Sequence, residues 1–277
     1  MTARGFERRG LSRRRVRAGD VEVNVFDGAG EGRLPQFVVQ HGLGSSATAL
    51  APVVHRLVPH ARRLTAVDLP GHGDSPDHAE RLTPEPLFAA MTEVYDRVIE
   101  HQAVLVGNSL GGGVALRYAI HRPEKVAALV LVSPAGARVS EEDLASVLSR
   151  FEAAMAGDAL ALATRLYHAP PWYLPIVARD IQRLMLRKAV GEIVRAARVD
   201  DSFSPEELSS LKMPVLVLWG RSERLLPPSA LEYLRAHLPR HALVEEPYGL
   251  GHCPHFDDPS WVSRRILKFS RDAVGAR

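Results

Sequence analysis

Gly107-Asn108-Ser109-Leu110-Gly111 follows the apolar run Ala103-Val104-Leu105-Val106 and precedes a segment with helical patterning. A serine flanked by glycines where a strand gives way to a helix reads as a nucleophile elbow. Such a turn is tight enough to hold its serine at strained backbone angles. The positions two residues to either side must then be small. The turn lifts the hydroxyl clear of the sheet and aims a helix N-terminus at the reacting centre. An ordinary serine hydroxyl is a weak nucleophile, so exposure beside a base is what the chemistry requires.

On either side of this turn, short apolar runs alternate with helical patterns. Strands are expected at Val21–Phe26, near an edge, and at Gln36–Gln40, Arg63–Asp68, Val104–Gly107, Ala127–Val132, Val215–Trp219 and Ala242–Glu245. Runs of four to eight apolar residues suit strands buried on both faces, hence a mainly parallel central sheet flanked by helices. Helices are expected at Pro84–Glu100, where Leu87, Met91, Val94 and Val98 share one face, at Leu110–His121, and at Trp261–Phe269. From about Ser140 to Leu211 the alternation stops, and only helical patterns appear. This predicts a helical insertion, residues 137–212, set into a core made of residues 1–136 and 213–277.

Composition narrows the function classes. The 277 residues are 46% hydrophobic and 24% charged, with a net charge of +3, as in an ordinary globular protein. Arginines 8, 9, 13, 14, 15 and 17 crowd the start of the chain. No nucleic-acid motif accompanies them, so they read as a solvated or frayed arm and no nucleic-acid partner is expected. The single cysteine, Cys253, precludes an intrachain disulfide. No secretory core region and no membrane span are evident, which points to the cytoplasm. No metal-ligand spacing appears, because Cys253 beside His252 and His255 lacks a second thiol. Neither a metal nor a cofactor is expected, and a homodimer is allowed for.

Four motifs carry a resemblance to a known family: His41-Gly42-Leu43-Gly44, Asp68-Leu69-Pro70-Gly71-His72-Gly73-Asp74-Ser75, Gly107-Asn108-Ser109-Leu110-Gly111-Gly112 and Gly251-His252-Cys253-Pro254. In this order and separation the chain resembles the α/β-hydrolase superfamily over nearly its whole length, with 137–212 similar to the family's helical cap. The resemblance implies Ser109 as nucleophile, His252 as general base and Glu223 as the acid that orients the imidazole. Glutamate departs from the aspartate usual in the family's acid loop. Asp257, close to His252, is the rival and reads as structural. The backbone N–H groups of Leu43 and Leu110 would form the oxyanion hole.

The expected substrate is a small molecule with an acyl carbonyl, an ester or lactone, cleaved through an acyl-enzyme. Pocket candidates are His41, Gly42, Asn108, Tyr167, Trp172, Tyr173 and His255. Two other readings stand beside it. The Gly-Asn-Ser-x-Gly-Gly elbow resembles that of carbon–carbon bond hydrolases of ring-cleavage products, although Cys253 stands where those carry an aromatic residue. The Gly-His-Cys-Pro-His run resembles the histidine loop of a slow-turnover, ligand-sensing regulator.

Overall fold

The computed structural model describes residues 3–78 and 80–275. Among these, eight strands form one sheet: β1 (Ser12–Ala18), β2 (Val21–Ala29), β3 (Gln36–Gln40), β4 (Arg63–Val67), β5 (Ala103–Asn108), β6 (Val126–Val132), β7 (Val215–Leu218) and β8 (Leu243–Glu245). Their order across the sheet is β1-β2-β4-β3-β5-β6-β7-β8. β1 pairs antiparallel with β2 and β2 antiparallel with β4, and every pairing from β4 to β8 is parallel. The helices are α1 (Ala3–Glu7), α2 (Ala51–Leu57), α3 (Pro84–Val98), α4 (Leu110–His121), α5 (Glu141–Met155), α6 (Ala159–Leu166), α7 (Leu174–Met185), α8 (Lys188–Ala196), α9 (Pro205–Ser209), α10 (Pro228–His237), α11 (Pro254–Asp257) and α12 (Pro259–Gly275).

Side chains alternate along each strand, so an all-apolar strand feeds two cores. Leu105, Leu129, Leu131, Val215 and Val217 pack on one face with Leu87, Met91, Val94 and Leu116. Val104, Val106, Val130, Val132, Leu216 and Leu218 pack on the other with Val54, Leu57, Ile266 and Phe269. The sheet is therefore covered on both sides, as its sequence pattern requires.

The basic start of the chain is not a frayed arm. Arg13, Arg14, Arg15 and Arg17 belong to β1, the edge strand, in register with β2, and β2 is displaced inward from the edge. The strand buries Val16 and Ala18 and leaves the arginines outward. Arg14 and Arg63 both donate to the buried carboxylate of Asp27, at 2.9 and 2.6 Å. Charge on an edge strand also discourages pairing with another chain. A run of arginines hides the two-residue period because their long aliphatic stems cover the strand's flank while the charges reach water.

Between β6 and β7 come five helices, α5 to α9. The first is well specified locally: the Ser140 hydroxyl accepts from the Asp143 amide at 3.0 Å, and Glu141, Glu142 and Asp143 fill the positive first turn. Phe151, Ala154, Leu162, Met185, Val190 and Val194 form a small apolar cluster of their own with Leu225.

Candidate active site

Ser109 sits between β5 and α4 with φ 53° and ψ −123°. A non-glycine residue held there is strained by about 1–3 kcal/mol. Its carbonyl accepts from the amides of Gly112, Gly113 and Ala135 at 2.8, 3.1 and 3.0 Å, and its own amide donates to Val132 at 3.0 Å. These four bonds hold the elbow against the strain.

The flanking glycines are steric necessities. A Cβ on Gly107 would lie 2.3 Å from the Gly111 carbonyl oxygen, and one on Gly111 would lie 2.4 Å from the His41 carbonyl oxygen. Both obstacles are backbone. Gly111→Ala is therefore expected to lower the unfolding free energy by about 3 kcal/mol or more, read from urea denaturation. A loss under 1 kcal/mol would mean the elbow is looser than described.

His252 lies buried in the loop before α11, and its Nδ1 is 2.8 Å from Glu223 Oε2. The other oxygen of Glu223 accepts from the amides of Leu225 and Leu226 at 2.8 and 3.0 Å. Burial pushes this carboxyl up. The charge and hydrogen bond of His252 and the Leu226 amide outweigh burial and leave it below its ordinary value. Ser133, at the end of β6, has φ 41°.

Asn108 joins the elbow to the histidine loop. Its Nδ2 donates to the carbonyls of Val132 and His252, both at 3.1 Å, and its Oδ1 faces the Cys253 thiol at 3.6 Å. Burial pushes that thiol well up, so it stays protonated. Asp257 accepts from the amides of Gly251 and His168 at 2.8 and 2.9 Å. It ties the histidine loop to the segment after α6, whereas the imidazole Nδ1 meets Glu223.

The loop after β3 comes close to Ser109, since a Cβ on Gly42 would stand 3.0 Å from Ser109 Cβ. Gly44 (φ 64°) lies under Met185 of α7, whose methyl group occupies the space a side chain would need. Leu110 N–H is at the first position of α4, where the helix itself supplies no acceptor. Leu43, Leu110 and Ser109 line one cleft.

The remaining pocket candidates lie elsewhere. His41 is fixed with its proton on Nδ1, which donates to the Gly42 carbonyl at 2.7 Å, while Nε2 accepts from the Leu69 amide at 3.0 Å. His255 borders a small separate cavity beneath Asn108. Tyr167 stacks on Phe256 at 5.3 Å. Trp172 is 84% exposed and Tyr173 45% exposed. None of these, nor Gly42 or Asn108, is in the lining of the Ser109 cleft. Sequence reasoning missed most of that lining, which comes from Phe88 on α3, from α5 and α8, and from the loop after β6. Among the described residues, no three His, Cys, Asp or Glu side chains are grouped to hold a metal ion. No described helix is long and apolar enough to cross a membrane.

Burial holds His41 down to about 4, and His72 and His255 to about 3. Unfolded, each ring takes up its proton near 6.5. The stability they confer is therefore complete above that pH and is lost as pH falls toward 4 and 3. Each ring contributes a slope of roughly 1.4 kcal/mol per pH unit. Asp68, raised by burial, binds its proton earlier when folded and offsets part of the loss at the acid end. Urea denaturation at pH 7 and pH 5 should show the decline, and His72→Gln should flatten it by about one proton. A stability that is level across this range would contradict the buried neutral rings.

The profile of the alpha/beta hydrolase fold matches residues 35–259. The chain belongs to the alpha/beta hydrolase fold family. Similar members of this family include the pimeloyl-[acyl-carrier protein] methyl ester esterase of Vibrio vulnificus, 29% identical over 261 residues, which cover 87% of this chain and 96% of that one. The protein of the same name from Nitrosomonas europaea is 30% identical over 245 residues, covering 82% and 92%. Among solved structures, a bacterial membrane phospholipase A superposes with a TM-score of 0.81 at 25% identity, over 97% of this chain and 88% of that one.

Proposed function

We propose that this alpha/beta hydrolase cleaves a small carboxylic ester through an acyl-enzyme on Ser109, with His252 as base and Glu223 as the acid. The observation that carries the reading is the 2.8 Å contact of His252 Nδ1 with Glu223, whose side chain is buried and accepts two backbone amides, while Asn108, the residue before Ser109, holds the His252 loop. The esterase names of the relatives support the reaction class.

Ser109 Oγ attacks the ester carbonyl carbon as its proton passes to His252 Nε2. Glu223 holds the proton on Nδ1 and stabilises the imidazolium that forms. The amides of Leu43 and Leu110 receive the negative charge on the carbonyl oxygen, each contributing about 3 kcal/mol. The C–O bond to the alcohol breaks, and the alcohol leaves with the proton from His252. Water, deprotonated by the same ring, then releases the acid and restores Ser109. Residues 137–212 act as a cap over a core of 1–136 and 213–277, with Met185 seated on Gly44 and the cleft roofed by α5 and α8.

The experiment is a screen of nitrophenyl esters with purified protein, repeated after treatment with a fluorophosphonate probe. Turnover that stops as one probe binds per chain is the expected result. Absence of turnover on every ester, with no labelling, would overturn the reading.

A further inference from the structure

The cleft beside Ser109 has mostly apolar walls. Leu110, Val147, Phe151 and Val194 surround it, and its charged side chains, Arg198 and Asp201, lie in the segment after α8. The apolar stretch of this lining stabilises hydrocarbon and offers no partner to a charge or polar substituent buried against it.

Beyond the cleft lies a second, open hollow edged by Glu85, Glu93, Asp96, Arg117 and Arg122. Pro84, Phe88 and Asp201 border both spaces. Phe88 is half-buried on α3. A Cβ built on Gly113 would stand 3.9 Å from its ring edge, so the ring lies about one helical turn along α4 from Ser109.

The ring is also held in place. The Arg117 guanidinium lies 5.5 Å from its centroid and 4.5 Å from that of Phe203, and Arg117 is anchored by an ion pair with Glu207. A chain running from Ser109 across the bare surface of Gly113 meets an aromatic partition backed by a fixed cation, with charged groups behind it.

We propose that the cleft takes an unbranched aliphatic acyl group and that Phe88 ends it, so that this one side chain sets the acyl length accepted. The proposal rests on the serine-ester reading above. A smaller residue opens the cleft into the charged hollow, and a larger one shortens it. Each methylene gained or lost from apolar contact is felt in kcat/KM.

The test compares nitrophenyl butyrate with nitrophenyl decanoate for the unmodified protein, Phe88→Ala and Phe88→Trp. The decanoate-to-butyrate ratio of kcat/KM should rise about tenfold in Phe88→Ala and fall about tenfold in Phe88→Trp. A merely structural loosening would lower both esters alike and leave the ratio in place. Butyl and decyl acetates form the second arm, and their ratio should stay put in both variants. A ratio that moves within twofold, or the same way in both variants, overturns the role of Phe88 while the ester chemistry stands. A shift confined to the acetates overturns the acyl assignment. No turnover by the unmodified protein removes the serine-ester reading and this inference together.

Discussion

Ser109→Ala is expected to reduce ester turnover about a millionfold, because the attacking atom is gone and no neighbouring side chain can replace it. The substitution is gentle on the fold. Ser109 contributes its backbone to the elbow: its carbonyl takes three amide bonds and its amide gives one. Alanine preserves all four. The same backbone angles remain strained for alanine, so denaturation should show a change within about 0.5 kcal/mol. Turnover retained to within tenfold, in a folded variant, would remove Ser109 from the chemistry.

Glu223→Gln is expected to lower kcat about ten-thousandfold with the protein still folded. The amide oxygen can go on accepting from Leu225 and Leu226, which keeps the loop in place. Its NH2 group then faces His252 Nδ1 as a donor. The ring answers by moving its proton to Nε2, and a protonated Nε2 cannot take the Ser109 proton. Asp257→Asn is the comparison. Asp257 spends its carboxylate on two backbone amides, so that variant should lose stability and less than tenfold in kcat. Steady-state kinetics on both variants decides, and the reverse order would make Asp257 the acid.

Much of the core was legible because its strands are buried on both faces. Gln36–Gln40 was bounded to the residue, and β5 to β8 to within one, since apolar runs between turn residues leave little choice of frame. The elbow was legible for a different reason: crowding at Gly107 and Gly111 leaves glycine as the only fit, and sequence records such steric demands directly. β1 was not legible, because an edge strand needs few apolar residues and its Arg14 answers to Asp27 on another strand. The helices α2 and α10 went unread, each short and opened by a proline that also reads as a turn.

At the site, the pairing of His252 with Glu223 was legible in the motifs, but the walls of the cleft were not. Phe88 lies on the helix predicted from Leu87, Met91 and Val94, one position off that buried stripe, and only the packing of α3 against α4 turns it toward Ser109. Trp172 and Tyr173 drew notice as aromatic residues in the insertion, yet they face outward. Aromatic character shows in a sequence, whereas direction is set by contacts between distant segments.

The most direct measurement is mass mapping of the protein after stoichiometric reaction with a fluorophosphonate. One phosphonyl group on the peptide that carries residue 109, with His252→Ala slowing its attachment by several powers of ten, is the predicted result. A modified side chain elsewhere, or attachment at 109 at the same rate without the imidazole, would contradict the account.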